Sequence, residues 1–365
     1  MRAEVRQDSF ATLMKPFIKE AQRRRKKAAE NDPEYFRRLD PELNAHRINF
    51  LLYISGETHE PPRTERAFIG TQTIFSYHIP SRRFDLVSLT HDIRAPEIER
   101  FNLQHGGTIT NALKIFRAYG VGGFELMRQV MENATGLSMD FQVAFKDDVV
   151  KEFVDGVFES VEVDVPRGLT VVPFYLKAEK YPEGYFEAGS QEMDGLRVLH
   201  YLKGISTCYD RSVENNQRKV VIFKALFQSL KENSDDLVFW LRTSRFLTER
   251  LFANELHLDF YVQDLLLNNV DALVAGLREV GRSDSELIFP EIRKSLYIVD
   301  GRHGDGGVRW VRAEASVNPI VKREIDEGVY PDFAIEVPEG GNPKAGDLVA
   351  GYWPSVRNLV SKALK

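Results

Sequence analysis

The chain has 365 residues, 43% of them hydrophobic and 28% charged, with a net charge of −5. That is ordinary globular composition with material for a large core, and length alone fits one extended domain or two. The acidic balance provides no overall basic field for nucleic acid. The single cysteine, Cys208, rules out an intramolecular disulfide and fits the cytosol or a bacterial exterior equally.

The N-terminus has charge but no apolar signal-peptide region. The longest apolar runs, Phe50 to Ile54 and Leu169 to Leu176, fall short of the ~18 residues a membrane span needs. An anchor upstream of Met1 is left open.

Residues 8–38 read as helix, with Phe10, Leu13, Met14, Phe17 and Ile18 at helical spacing. Arg23 to Lys27 is a basic run, which reads either as a solvated helix end or as a contact to anionic lipid. Asp32-Pro33 and Asp40-Pro41 break the pattern. Ile48 to Ile54 then reads as a buried strand. Thr73 to Ile79 alternates, Pro80 to Arg83 turns, and Phe84 to Leu89 returns, which predicts a hairpin. Asn111 to Tyr119 and Phe124 to Asn133 carry helical patterns on either side of Gly120-Val121-Gly122-Gly123. Those glycines suit a helix–helix turn or a phosphate cradle.

Met139 to Phe145 reads as a strand, Asp147 to Phe153 as a short helix, and Val161 to Val165 as a clean alternating strand. Met193 to Leu202 and Asn215 to Glu232 read as helices. Beyond residue 234 the chain is less legible. There, Val262 to Glu279 looks like an amphipathic helix and Gly301 to Gly307 and Glu339 to Pro343 like turns. No internal repeat or low-complexity tract is visible. Alternating helices and strands predict helices packed on a largely buried sheet.

GxGxxG before a helix, GxxxxGK[ST], HExxH and GxSxG are all absent from the sequence. One cysteine cannot supply the paired thiols of the usual zinc site. Polar clusters near strand ends carry more information. Thr90-His91-Asp92-Ile93-Arg94 leaves a strand of the hairpin. At such strand ends ligands bind. Asp92 could hold a metal or accept a proton, and Arg94 could grip phosphate oxygens. A surface turn with an internal Asp–Arg pair fits the same residues. Gly56 to Arg66 holds Glu57, His59, Glu60, Arg63, Glu65 and Arg66, and is either a site loop or an ordinary polar loop. Lys203, Tyr209-Asp210-Arg211 and Asn215 to Lys219 cluster around a helix start, as an anion site or as a solvated cap.

The order of these pieces resembles the LytR–CpsA–Psr domain, over roughly residues 47–232. Arg47-Ile48-Asn49-Phe50-Leu51-Leu52 resembles the family's opening strand, N-I-L-L-L-G. Ser88-Leu89-Thr90-His91-Asp92 resembles S-I-P-R-D, and Asn111-Ala112 with Gly122-Gly123 resembles the N-x-A and G-G region. Thr135 to Phe141 resembles L-G-I-P-I-D-Y. Phe153-Val154-Asp155 followed by Val161 to Pro166 resembles L-V-D-A-L-G-G-V-D-V-D-V-P. Asp194-Gly195 through Leu199, Tyr201 and Lys203 resembles L-x-G-x-x-A-L-x-Y-x-R, and Gln217-Arg218-Lys219-Val220 resembles R-Q-x-x-V. His91, Lys203 and Asn216 stand where the family has arginine, with Arg94 and Arg211 as replacements close by. Counting back from Pro80 puts Thr71 where the family's R-S-D-T aspartate belongs.

The resemblance implies a three-layer α-β-α sandwich around a mixed, largely buried sheet, with a helical N-terminal extension (1–44), the family domain (45–233), and a C-terminal extension or small second domain (234–365). It implies a cell-envelope phosphotransferase that moves a glycopolymer from polyprenyl pyrophosphate to a peptidoglycan acceptor, at the outer face of a bacterial membrane, with Mg2+. In that frame Asp92 would be metal ligand or base, with His91 beside it. Arg94, Lys203, Arg211 and Arg218 would hold phosphate, Gln217 would orient an oxygen, and Glu57 or Glu65 would add a metal carboxylate. Two other readings remain: a non-catalytic polyprenyl-lipid binder of the same fold, and a transcription attenuator. The acidic charge and the lack of a helix-turn-helix signal argue against the latter.

Overall fold

The computed structural model describes residues 8–55, 69–81, 83–89, 95–105, 115, 118–172, 184–203, 205–206, 211–252, 256–258, 274, 296–298, 310–312, 334–338 and 353–364. In chain order the elements begin with α1 (Asp8–Asn31), a 3-10 turn (Tyr35–Arg38), α2 (Pro41–Ala45), β1 (Arg47–Ser55), β2 (Ile69–His78) and β3 (Arg83–Ser88). Then come α3 (Pro96–Gln104), α4 (Ala118–Thr135), β4 (Phe141–Lys146), α5 (Asp147–Phe153), a π turn (Val154–Phe158), β5 (Val161–Val165), β6 (Leu169–Val172), β7 (Gly184–Phe186) and β8 (Gly189–Met193). The remainder is α6 (Gly195–Lys203), β9 (Ile205–Ser206), α7 (Arg211–Glu232), α8 (Leu237–Phe252), β10 (Leu256–Leu258), β11 (Leu296–Ile298), β12 (Trp310–Arg312), β13 (Ala334–Pro338) and α9 (Pro354–Leu364).

The main sheet has the order β10-β4-β1-β2-β3. β1 pairs antiparallel with β2, Phe50 opposite Phe75, and parallel with β4, Phe50 beside Phe141. β2 and β3 form the predicted hairpin, and β10 closes the other side antiparallel to β4. β1, β3 and β4 therefore run the same way and end at one edge. Because side chains alternate across a strand, β1 and β2 bury both faces. Leu51, Tyr53, Ile74 and Val87 pack into a core with Ile98 of α3, Leu126, Met127 and Val130 of α4, Trp353 just before α9, and Val356 and Val360 of α9. On the opposite face Phe17 of α1 meets Phe50 and Phe141 edge-on at 5.7 and 5.4 Å, and Phe223 of α7 meets Phe75 at 5.4 Å. Helices cover both faces of a mixed sheet, which is the expected three-layer α/β/α sandwich.

A second core lies beside the first. The exposed–buried alternation of β5 pairs with β8, so that Val161, Val163, Val165 and Met193 face Val198 and Tyr201 of α6 and Ile222 of α7. The family-like Gly195 starts α6 at a close approach. A Cβ there would fall 2.1 Å from the Lys151 carbonyl oxygen, and its N–H donates to Asp155 Oδ1 at 2.7 Å. Only glycine fits that contact.

Some expected boundaries move. The helix predicted from Met193 begins at Gly195 instead, because Met193 ends β8 opposite Val161. The N-terminal helix stops at Asn31, before Asp32-Pro33, as proline bars the preceding residue from helical geometry. Gly122 and Gly123 leave helical geometry, with Gly123 at φ +66°, so α4 is two helical segments joined by a sharp bend, as the helix–helix turn reading expected. α3 and α8 carried no sequence prediction. The helix expected over 262–279 lies outside the described residues, Val274 excepted, as do the expected turns over 301–307 and 339–343. No helix among the described residues is long and apolar enough to cross a membrane.

Candidate functional site at the carboxyl edge of the sheet

In open α/β sheets ligands gather beyond the carboxyl ends of parallel strands. Here β1 ends at Ser55, level with Lys146 of β4, and β3 ends at Ser88, paired with Thr73 of β2. Only β2 lies between β1 and β3, so the two strands sit about 10 Å apart, two strand spacings. The chain beyond β1 carries Glu57 and Glu65; beyond β3 it carries His91, Asp92 and Arg94. These five residues lie outside the described ones. What the sheet contributes is that both departures start from the same edge.

The residues of β1 and β2 at this edge are neutral. Thr71 sits opposite Ile54, and Gln72 opposite Tyr53. Both members of the Tyr53–Gln72 pair are essentially unexposed. Among the described residues, neither amide atom of Gln72 nor the Tyr53 hydroxyl has a hydrogen-bond partner. A buried polar group left unsatisfied costs about 1–3 kcal/mol. Burial also pushes the Tyr53 hydroxyl well above the ordinary tyrosine range. Tyr119 and Phe124, on either side of the α4 bend, reach the Tyr53 ring at 5.5 and 5.8 Å. The bend needs glycine, since a Cβ on Gly122 would lie 2.6 Å from Leu126 Cβ.

The remaining candidate cations lie on α6 and α7. Lys203 closes α6 and Arg211 opens α7, with side chains outside the described set. Gln217 is exposed on α7, whereas Arg218 and Lys219 are 2% and 0% exposed. Arg218 Nη1 donates to the Tyr201 carbonyl at 2.5 Å, and its guanidinium stands 5.8 Å from the centre of that tyrosine's ring. Arg218 therefore fixes α7 against the last turn of α6, which ends at Lys203. Sequence reasoning grouped both Arg218 and Lys219 with the cluster at the helix start. The burial of Arg218 follows a helical pattern, because Arg218, Ile222, Ala225 and Ser229 form one buried stripe. Two adjacent desolvated cations require negative charge near them.

Several family-like polar residues prove to be structural. Asp140 takes Arg25 Nε and Nη2 at 2.6 and 2.5 Å and the Asn49 N–H at 2.9 Å, tying α1 to β1 and β4. Asn44 accepts from the Ser138 N–H at 2.8 Å. Arg47 donates to Asp85 at 2.6 Å, and to the Leu364 carbonyl at 2.6 Å, joining β1, β3 and α9.

Among the described residues no group of three or more His, Cys, Asp or Glu could hold a metal ion. The suggested Mg2+ ligands Asp92, Glu57 and Glu65 are outside that set. The described edge offers an amide, a phenol and hydroxyls. Mg2+ prefers carboxylate, phosphate and water oxygens, so these described residues do not themselves fit it.

The architecture places the chain among α/β/α sandwich proteins. It belongs to the LytR_cpsA_psr family, whose sequence pattern matches residues 13–246. That is a cell-envelope family of generally phosphotransferase members, and its solved relatives include proteins titled as transcriptional regulators. The match begins inside α1, spans the strands β1 to β9 with α6 and α7, and ends inside α8. The fold is similar to that of TagV from B. subtilis, at 16% identity and TM-score 0.50 over 72% of this chain and 91% of that one. Also similar are a LytR-Csp2A-Psr enzyme from Actinomyces oris (12% identity, TM-score 0.46, 67% and 80% covered) and TagT bound to LI-WTA (14%, 0.44, 80% and 92%). No curated protein matches the chain.

Proposed function

We propose that the chain is a glycopolymer phosphotransferase that takes its substrate from a polyprenyl-pyrophosphate carrier. The observation that carries this reading is the family match over β1 to β4 of the main sheet, combined with the shared edge from which the segments bearing Glu57, Glu65, His91, Asp92 and Arg94 depart. In the reaction, a hydroxyl oxygen of a peptidoglycan sugar attacks the sugar-linked phosphorus. A new P–O bond forms, the P–O bond to the bridging oxygen breaks, and polyprenyl phosphate leaves with the electron pair. Asp92 takes the hydroxyl proton. Arg94, Lys203 and Arg211 neutralise phosphate oxygens, and Gln217 orients one of them. Arg218 holds the α6–α7 corner that presents Lys203. Mg2+, if held by Asp92 with Glu57 or Glu65, would add charge neutralisation. The reaction belongs at the outer face of a bacterial membrane.

The test is binding and turnover of a short-chain polyprenyl pyrophosphate, with and without Mg2+, in the native protein and in Asp92→Asn and Arg94→Ala. The expected result is metal-enhanced binding in the native protein, with turnover lost in both variants. Unchanged turnover in both would refute the site.

A second reading is favoured by one observation. Thr71, Gln72 and Thr73, which open β2 at the edge, include no carboxylate. A carrier-lipid binder without catalysis would bind the same pyrophosphate tightly and independently of metal.

A further inference from the structure

The basic run of α1 splits into two jobs. Arg24 and Arg25 turn inward: the Arg24 guanidinium lies 5.0 Å from the centre of the Phe141 ring, and Arg25 is paired to Asp140. Met14, Phe17 and Ala21 are buried on the same side. Lys15, Lys19, Arg23, Lys26 and Lys27 are all exposed. At 100° per residue they share, with Glu30, an arc of about 120° along roughly 20 Å of helix. Glu20 accepts from both Arg23 and Arg24 and so offsets part of the charge of Arg23; the other cations of the outer row are the four lysines. This positive stripe stands on a chain whose net charge is −5.

An apolar feature accompanies the stripe. Gln22, Arg25, Lys26, Ala29, Glu30 and Phe36 line an open groove of about 440 Å³. Phe36 is 63% exposed, while Tyr35 beside it is buried and anchors the turn. A soluble polyanion would need only the cations. A large exposed aromatic flanking a straight cationic row suits the headgroup boundary of a bilayer, where cations meet phosphate and an apolar ring enters beneath it.

We infer that the outer face of α1, Lys15, Lys19, Arg23, Lys26 and Lys27 with Phe36, docks on the surface of an anionic lipid bilayer. The inference is independent of the transfer chemistry, since none of these residues belongs to the carboxyl-edge site.

The test is co-sedimentation of the full chain with phosphatidylcholine vesicles with and without phosphatidylglycerol, over a range of NaCl. Binding should require phosphatidylglycerol and weaken with salt. A surface lysine near an anionic leaflet is worth about fivefold in affinity. Lys19→Gln/Lys26→Gln/Lys27→Gln should therefore bind about a hundredfold more weakly, at an unchanged melting temperature. Phe36→Ser should also weaken binding without altering its salt dependence. Equal binding to pure phosphatidylcholine would overturn the inference. So would a triple variant that binds like the native chain, or capture of soluble polyphosphate with no vesicle binding.

Discussion

Replacing Asp140 by alanine should cost about 3–5 kcal/mol of unfolding free energy, the range for breaking one half of a buried ion pair. The Asp140 and Arg25 side chains are 1% and 14% exposed, and two short charge-assisted hydrogen bonds join them. Arg25 also donates to the Asn44 and Arg47 carbonyls. In the variant it would remain among oxygen dipoles with no counter-charge, and the Asn49 N–H would lose its acceptor. With the two charge centres taken as about 4 Å apart, the pair is worth about 4 kcal/mol at an effective dielectric of 20, which agrees with the range above. Urea unfolding followed by fluorescence of Trp240 and Trp353, both buried, would measure the loss. A cycle with Arg25→Met separates the pairing itself from the cost of the stranded charge. A loss below about 1 kcal/mol, the worth of an exposed pair, would refute the assignment of α1 to the sheet by this link.

Two further outcomes follow from other buried polar groups. Burial raises the Glu97 carboxyl to about 7 from an ordinary 4.5, against the opposing hydrogen bond that Trp353 Nε1 donates to it at 2.9 Å. The folded chain therefore binds the extra proton. Its stabilising effect is complete below about pH 4.5 and is lost as pH rises through about 7. Glu97→Gln should flatten that slope and raise stability at pH 8 by roughly 3 kcal/mol. An unaltered slope between pH 5 and 8 in urea titrations would count against it. Gln72→Met keeps the volume and removes two unsatisfied amide atoms, so it should stabilise the chain by about 1–3 kcal/mol; a lower melting temperature would show that Gln72 is satisfied in solution.

The strands were legible because alternation is a local pattern. Thr73 to Ile79 and Val161 to Val165 appear in the structure as β2 and β5, since a sheet face reads every second residue. The identity of each partner was not local. Val161 to Val165 joins β8 in a side ribbon, and nothing in its own five residues distinguishes that from a place in the main sheet. α3 escaped notice because Pro96 and the short helix that follows offer little periodicity. α8 escaped because Leu237, Val238 and Leu241 are exposed while Phe239 and Trp240 are buried, which blurs an amphipathic pattern.

By itself the sequence determined the family, the alternation of helices and strands, and the segments that carry the candidate chemistry, because these rest on residue order and short-range spacing. Tertiary structure alone decided the use of each charge. Asp140 and Arg47 sit in family-like stretches like those of the site, yet their partners are 115 and 38 residues away in sequence. Arg24 and Arg25 face the core while Arg23 and Lys26 face outward, because one turn of helix sends neighbouring cations to opposite environments. Pairing across that distance and burial on one side of a helix are properties of packing, and no local pattern encodes them.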